Sequence, residues 1–503
     1  MIGKAFLENL AESANPVFIK EMRQYFQNRR MVFFMGALLL VQFICTLFFT
    51  SAADYSGDGS AGVTFFLLIV FAGAILSILI CSLGAEQRFA EERSDKELNY
   101  AMLTTLKPAS IILGKLEGAL VMILCIFSML LPFLTAAYFM RGLSAAALLI
   151  VLYMIPVLLL ATLAGILAGA FGKRWINVLY IIALINAGIG LVPVGFALAE
   201  ELMDGVALDS EFWIALAIEY ILSFLAGVLV FLLSVAVIAP PKSNRLFATK
   251  IYLFLLPFLT FAVLTCWHLL DKSSLPLEAM LALEYMFISG TIGVLLLIAL
   301  FEPATSGIRI YMKVPRDFFG RFFHFLFSTG FPGSLLLAIL ISLLPATMLI
   351  LPPSPSIPYS FRPFTCAFLC ILFTSLGNVI LALVISWRTK LKVPPWLWIV
   401  IFQIAGNVAV WVTVVANEDF EDLPDLVRAF FMLLSPFYAL VEGFEANGRT
   451  PYEIPFWGMA GAFAVTAILF LLIVPVILKA FKLHRRPADS DAIKTPTPEM
   501  MKK

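Results

Sequence analysis

The sequence predicts an all-α, polytopic integral membrane protein of about 12 transmembrane helices with both termini in the cytoplasm. Three observations carry that expectation. Hydrophobic residues fill 61% of 503 positions and charged residues only 13%, about half the charged share of an ordinary soluble domain. Mean hydropathy is +0.98, so apolar windows of about 20 residues, enough to cross a bilayer, recur along the chain. Finally, the Lys and Arg residues fall on one side of the alternating segments, as cytoplasmic loops require. A soluble fold of this length could not bury so much apolar surface around compact cores.

Twelve stretches read as spans, at 31–51, 61–84, 111–139, 145–170, 175–199, 213–238, 250–270, 280–301, 334–351, 364–386, 396–416 and 457–480. With the first 30 residues placed inside, the seven inner segments hold 29 of the 34 Lys and Arg residues and the outer segments five (Arg141, Lys272, Arg362, Arg428, Arg449). One missed span would invert the count for everything after it. Residues 425–446 are excluded as a span because Ser435-Pro436 interrupts short apolar pieces and acidic residues flank both sides; they read as an outer re-entrant or interfacial segment.

The chain divides into a cytoplasmic amphipathic helix (1–30), a first six-helix group (31–238) with a long inner loop at 85–110, an inner linker (239–249), a second six-helix group (250–481) and a polar tail (482–503) expected to be disordered. The first apolar run starts only at Met31 and is long enough to span, so it is expected to be a retained first helix rather than a cleaved leader. Net charge is +1, which gives no basic field for nucleic acid. All six cysteines fall in apolar runs, so no disulfide framework is expected; Cys366 and Cys370, at i and i+4, read as helix-packing residues. The three histidines (His268, His324, His484) are far apart in sequence, and no His-built metal site is expected.

Two segments carry information beyond hydropathy. In Asn15–Arg30, Asn15 suits a helix N-cap and Pro16 the first helical position. Phe18, Met22, Tyr25 and Phe26 recur at helical spacing, with Lys20, Gln24 and Gln27 on another face, as in a helix lying in the inner membrane interface. In the inner loop from Glu86 to Ala119, Ser94 and Glu97 have capping-box spacing, which predicts a short helix that Lys107-Pro108 ends. Leu98, Met102 and Thr105 share one face of it. A charged helix with a few apolar anchors, hung between two spans, is a docking surface for a cytoplasmic partner or else a solvated loop.

Together these segments resemble the ABC-2 class of transporter permeases. Asn15, Pro16, Lys20, Glu21, Met22 and Arg23 match that class's elbow helix. Glu91, Glu92, Arg93, Leu98, Leu103, Thr104, Thr105, Ile111, Ile112, Gly114 and Lys115 match its first inner loop. Leu434 to Leu440, before the last span, resembles a further common feature. The resemblance covers about sixty residues. It implies that Glu92, Arg93, Leu98, Met102, Leu103, Thr104 and Thr105 belong to a coupling helix that docks on a separate ATP-binding cassette ATPase subunit. The chain departs from the class in having twelve expected spans rather than about six, and in a second inner loop (302–333) without the motif; a second permease copy completing the pathway stays open.

No nucleotide-binding loop exists in the chain. Gly-Lys occurs at 3–4, 114–115 and 172–173, never followed by Ser or Thr. The chain is therefore expected not to be an enzyme and to carry no cofactor, with ATP and Mg held by the partner. The expectation is a multi-pass plasma (inner) membrane permease, an exporter by resemblance. The alternatives are a secondary transporter, which would need an ion site at broken helices, and a membrane-embedded transferase, hinted at by Asp54 and Asp58 in a short outer loop. Intramembrane polar residues are sparse: Glu117, Glu219 and Glu284 lie near helix ends, where snorkelling to water is expected, and Asn186, Asn378, Gln403 and Asn407 suit helix–helix hydrogen bonds.

Overall fold

The computed structural model describes residues 15–27, 29–56, 60–94, 106–139, 152, 154–172, 176–178, 180–182, 210–240, 243–270, 277–302, 308–350, 361–389 and 453–484. Among these residues every regular element is a helix and there is no strand. Nine described helices are long and apolar enough to cross a membrane, or ten if one bent pair is a single span. They coincide with ten of the twelve expected stretches. The other two, at 175–199 and 396–416, fall wholly or mostly outside the described residues, as does the segment at 425–446. Helical spans are what lipid demands, because each backbone donor and acceptor must be satisfied within the segment.

The chain forms two compact units that divide between Ala239 and Pro240. The first contains α1 (Pro16–Gln27), α2 (Arg29–Ser56), α3 (Ser60–Ser77), a π-helical segment (Ile78–Leu83), α4 (Gly84–Ser94), α5 (Pro108–Phe139), α6 (Met154–Phe171) and α7 (Ser210–Ile238). Its larger apolar core joins Phe65, Phe66 and Ile69 of α3 to Met122, Ile126 and Leu130 of α5, and includes Tyr25 and Leu38. A smaller one gathers Phe89, Ile111, Ile112 and Ile166.

Span two does not stop near residue 84. It continues through the π-helical turns into α4, so that a charged stretch expected to be loop is helix as far as Ser94. Small residues on α6 make this continuation possible. A Cβ at Gly169 would meet the Glu86 carbonyl oxygen at 2.5 Å and the Phe89 Cβ at 3.0 Å, so α4 lies directly on the α6 backbone. Helix α6 ends at Gly172, whose φ of +60 suits glycine.

The second unit contains α8 (Phe247–Leu270), α9 (Leu277–Phe301), α10 (Ile308–Tyr311), α11 (Phe318–Phe327), α12 (Phe331–Ile350), α13 (Phe361–Thr389) and α14 (Glu453–Leu483). Helices α13 and α14 pack along each other, Phe373 meeting Phe463 edge-on at 5.2 Å between ring centroids. Cys366 and Cys370 are fully buried, in keeping with a packing role. Tyr285 of α9 stacks on Phe368 of α13 at 4.8 Å. Glu284 does not snorkel: it is 5% exposed, and its Oε2 is buried with no hydrogen-bond partner among the described residues.

Candidate functional site

The two informative sequence segments meet in the first unit. Helix α1 starts as its sequence requires: Asn15 Oδ1 accepts the Val17 N–H at 3.1 Å, and Pro16 needs no amide partner at the first position. The same Asn15 side chain donates from Nδ2 to the Ser110 carbonyl at 2.6 Å, tying the start of α1 to the start of α5. Helix α5 receives α1 on glycine. A Cβ on Gly114 would lie 2.8 Å from Asn15 Nδ2 and from Val17 Cβ, and 2.9 Å from the Phe18 amide nitrogen; one on Gly118 would lie 3.1 Å from Glu21 Cβ.

That close approach buries charge. Lys115 of α5 donates to Glu21 of α1 and lies 2.8 Å from Glu92 of α4. Glu92 in turn accepts from Lys20 of α1 at 2.8 Å. Arg88 of α4 stands 3.9 Å from Glu21 and 3.6 Å above the centre of the Tyr25 ring. Lys115 also lies 4.8 Å from the centre of the Phe89 ring. Three cations and two carboxylates from three helices thus form one network.

Its members differ in wetness, which ranks them. The Lys20 side chain is 42% exposed and Glu92 13%, whereas Lys115 and Glu21 are 6% and 4% exposed. The Lys20–Glu92 pair is screened by water and contributes little. Lys115–Glu21 is dry, and losing either partner strands a buried charge. Burial pushes the Tyr25 phenol up to about 12, against the pull of Arg88, so it remains a neutral ring under the guanidinium.

The structure places the expected residues as follows. Asn15, Pro16, Lys20 and Glu21 are all in the α1 contact, and Arg23 is exposed. Glu92 belongs to the buried network rather than to an exposed docking face. Arg93 is exposed beside Gly172, where an added Cβ would meet its Cδ at 2.7 Å. Ser94 is the last described residue of α4 and donates to the Glu91 carbonyl at 2.8 Å; the helix that the Ser94–Glu97 capping-box spacing predicts lies outside the described residues. Pro108 opens α5 rather than merely ending the preceding segment. Leu98, Met102, Leu103, Thr104 and Thr105 lie outside the described residues, as do Leu434 to Leu440.

The amphipathic expectation for α1 needs correction on one point. Its fully buried residues are Glu21 and Tyr25, while Phe26 is 57% exposed. The protein-facing side therefore carries a carboxylate, which hydropathy assigns to solvent. The sequence does not single out Arg88 and Tyr25 as members of a site; the signal it offers is the presence of ionisable residues in each of three apolar-flanked segments.

A second buried pair sits in the second unit. Lys250, counted by its position among the inner basic residues, is fully buried in α8 and donates to Glu302 at 2.9 Å and to the Ser328 carbonyl at 2.5 Å. Glu302 also accepts from Ser334 at 2.6 Å. Nearby, His324 Nδ1 and His484 Nε2 are 2.9 Å apart, a pairing of residues 160 positions apart that sequence distance hid. Among the described residues no group of three or more His, Cys, Asp or Glu side chains could hold a metal ion. Comparison with protein-family models, curated proteins and solved structures finds no match.

Proposed function

We propose that the chain is the transmembrane permease subunit of an ABC transporter, an exporter, driven by a separate ATP-binding subunit that docks on residues 95–105. What supports this reading is the charged clamp at the base of that segment. Helix α4 runs to Ser94 and α5 begins at Pro108, so both ends of the segment are mounted on helices that Lys115, Glu92 and Glu21 tie to α1. A push on such a segment moves three helices together rather than bending a loose loop. Force delivered by an ATPase at the inner surface would then reach α3, α5 and α1 at once.

Co-expression with a candidate ATPase followed by affinity purification of the permease is the test. Wild-type chain is expected to retain the ATPase, and a Leu98→Asp/Met102→Asp variant to lose it while staying inserted and monodisperse. Substrate transport by the chain alone, in sealed vesicles with an ion gradient and no ATPase, would overturn the reading. The second unit supplies an observation on that rival's side: Lys250 and Glu302 sit at a break between two helices bent by 94°, and broken helices are where ion-coupled carriers place their sites.

A further inference from the structure

Helix α11 is ten residues long and six of them are Phe. One side of it is occupied within its own unit. Phe318, Phe322 and Phe325 surround Phe481 of α14 at centroid distances of 6.1, 6.4 and 5.3 Å. Another side is bare. Phe319 is 75% exposed and Phe323 55%; four residues apart, they lie on one face of the helix.

The direction of α11 is fixed by its join to α12. The two axes differ by 94° across the break at 328–330, and two side chains of the second unit hold that break. Lys250 donates to the Ser328 and Gly330 carbonyls at 2.5 and 3.4 Å. Asn244 Oδ1 accepts the Thr329 amide and hydroxyl at 2.9 and 3.0 Å. A helix held perpendicular to a span runs parallel to the membrane plane, at the depth where the span ends. The bare apolar side of α12, with Leu340 and Leu343 at 39% and 48% exposed, must be covered by hydrocarbon. Just before α11, Lys313 and Arg316 are exposed, together with Met312 and Pro315, and Asp317 follows at the N-cap. Exposed aromatic rings beside basic side chains, on a helix at right angles to a span, are the composition of an interfacial anchor.

We propose that α11 lies in the interface of one leaflet of the bilayer, with Phe319 and Phe323 inserted at the boundary between headgroups and acyl chains and with Lys313 and Arg316 on the phosphates of anionic phospholipids. This anchor is independent of the permease reading and holds for a carrier of any energy source. It also gives the Lys250–Glu302 pair a purpose, since the pair fixes the angle at which α11 leaves the span.

The experiment places the photoreactive residue p-benzoylphenylalanine at position 319 or 323 of the full chain by stop-codon suppression and irradiates native membranes. Position 343 serves as the hydrocarbon-facing reference. Phospholipid adducts at both 319 and 323, identified by mass, are the expected result. Anionic phospholipid among those adducts is expected to exceed its bulk share by at least about twofold, and Lys313→Gln/Arg316→Gln to abolish that excess. An adduct with a second polypeptide would reassign the face to a protein partner and overturn the proposal. No adduct at either position would mean a water-facing helix and overturn it equally. Equal lipid composition with and without the two charges would overturn the assignment of Lys313 and Arg316.

Discussion

Replacing Lys115 by Met removes one ammonium from between two carboxylates. Among the described residues, Glu21 would keep Arg88, 3.9 Å away, and Glu92 would keep the half-exposed Lys20. Breaking a buried pair from one side costs about 3–5 kcal/mol, and these residual partners put Lys115→Met near the low end, about 3 kcal/mol. Glu21→Gln should cost less, about 2 kcal/mol, because Lys115 retains Glu92 at 2.8 Å. If the network is one unit, the double variant loses the pair only once and costs about 3 kcal/mol, a coupling of about 2 kcal/mol. Unfolding free energies measured in mixed micelles for the wild type, both single variants and the double variant give that coupling directly. Single costs that add to within about 0.5 kcal/mol would refute the argument, because independent sites behave that way.

Two further outcomes follow from the geometry. Gly114→Ala drives a methyl group into the α1 backbone at Phe18, 2.9 Å away, and should lower stability by about 1–3 kcal/mol. Gly290→Ala, with nothing within 4 Å, should be neutral or stabilising by up to about 1 kcal/mol; thermal denaturation of the two variants compares them. Burial, helped by the charges of His324 and Arg321, lowers His484 from 6.5 to about 4. The unfolded chain thus binds a proton that the folded chain refuses between those values, so stability falls as pH drops from about 6.5 toward about 4 and levels off below. A denaturation midpoint recorded across that window should show the slope in the wild type and a flatter one in His484→Phe; identical slopes would exclude His484 as its source.

Hydropathy made most of the membrane-spanning framework readable, because a lipid-facing helix announces itself by composition alone. The cap at Asn15-Pro16 was readable for the same local reason. What composition could not reveal was where charge turns inward. Glu21, Lys115 and Lys250 look like residues of a wet surface, yet each is buried because a partner from another helix neutralises it. The partner of Glu21 is 94 positions away and that of Lys250 is 52, beyond any local pattern. Hydropathy ends span two at residue 84 because Glu86, Arg88 and Glu92 close the apolar run. The helix continues since Gly169 lets it lie close and the neighbouring helices accept its charges. Helix α11 is illegible for the opposite reason: its ten residues are too few to span, and the basic residues before it give the segment the composition of a loop.

The π-helical turns at Ile78–Leu83 have a consequence for phase. Each residue advances an α-helix by about 100°, and a wider turn holds one residue more than the regular winding would. Everything beyond it is therefore rotated by about that step against the apolar spiral upstream. Phe65 and Ile69 can face the larger core while Phe89 and Glu92 face Lys115, although a uniform helix would aim one of these sets elsewhere. The irregularity works as a coupling between two differently indexed gears. Trimming one residue from it would leave the greasiness of the span untouched and swing its charged end out of mesh.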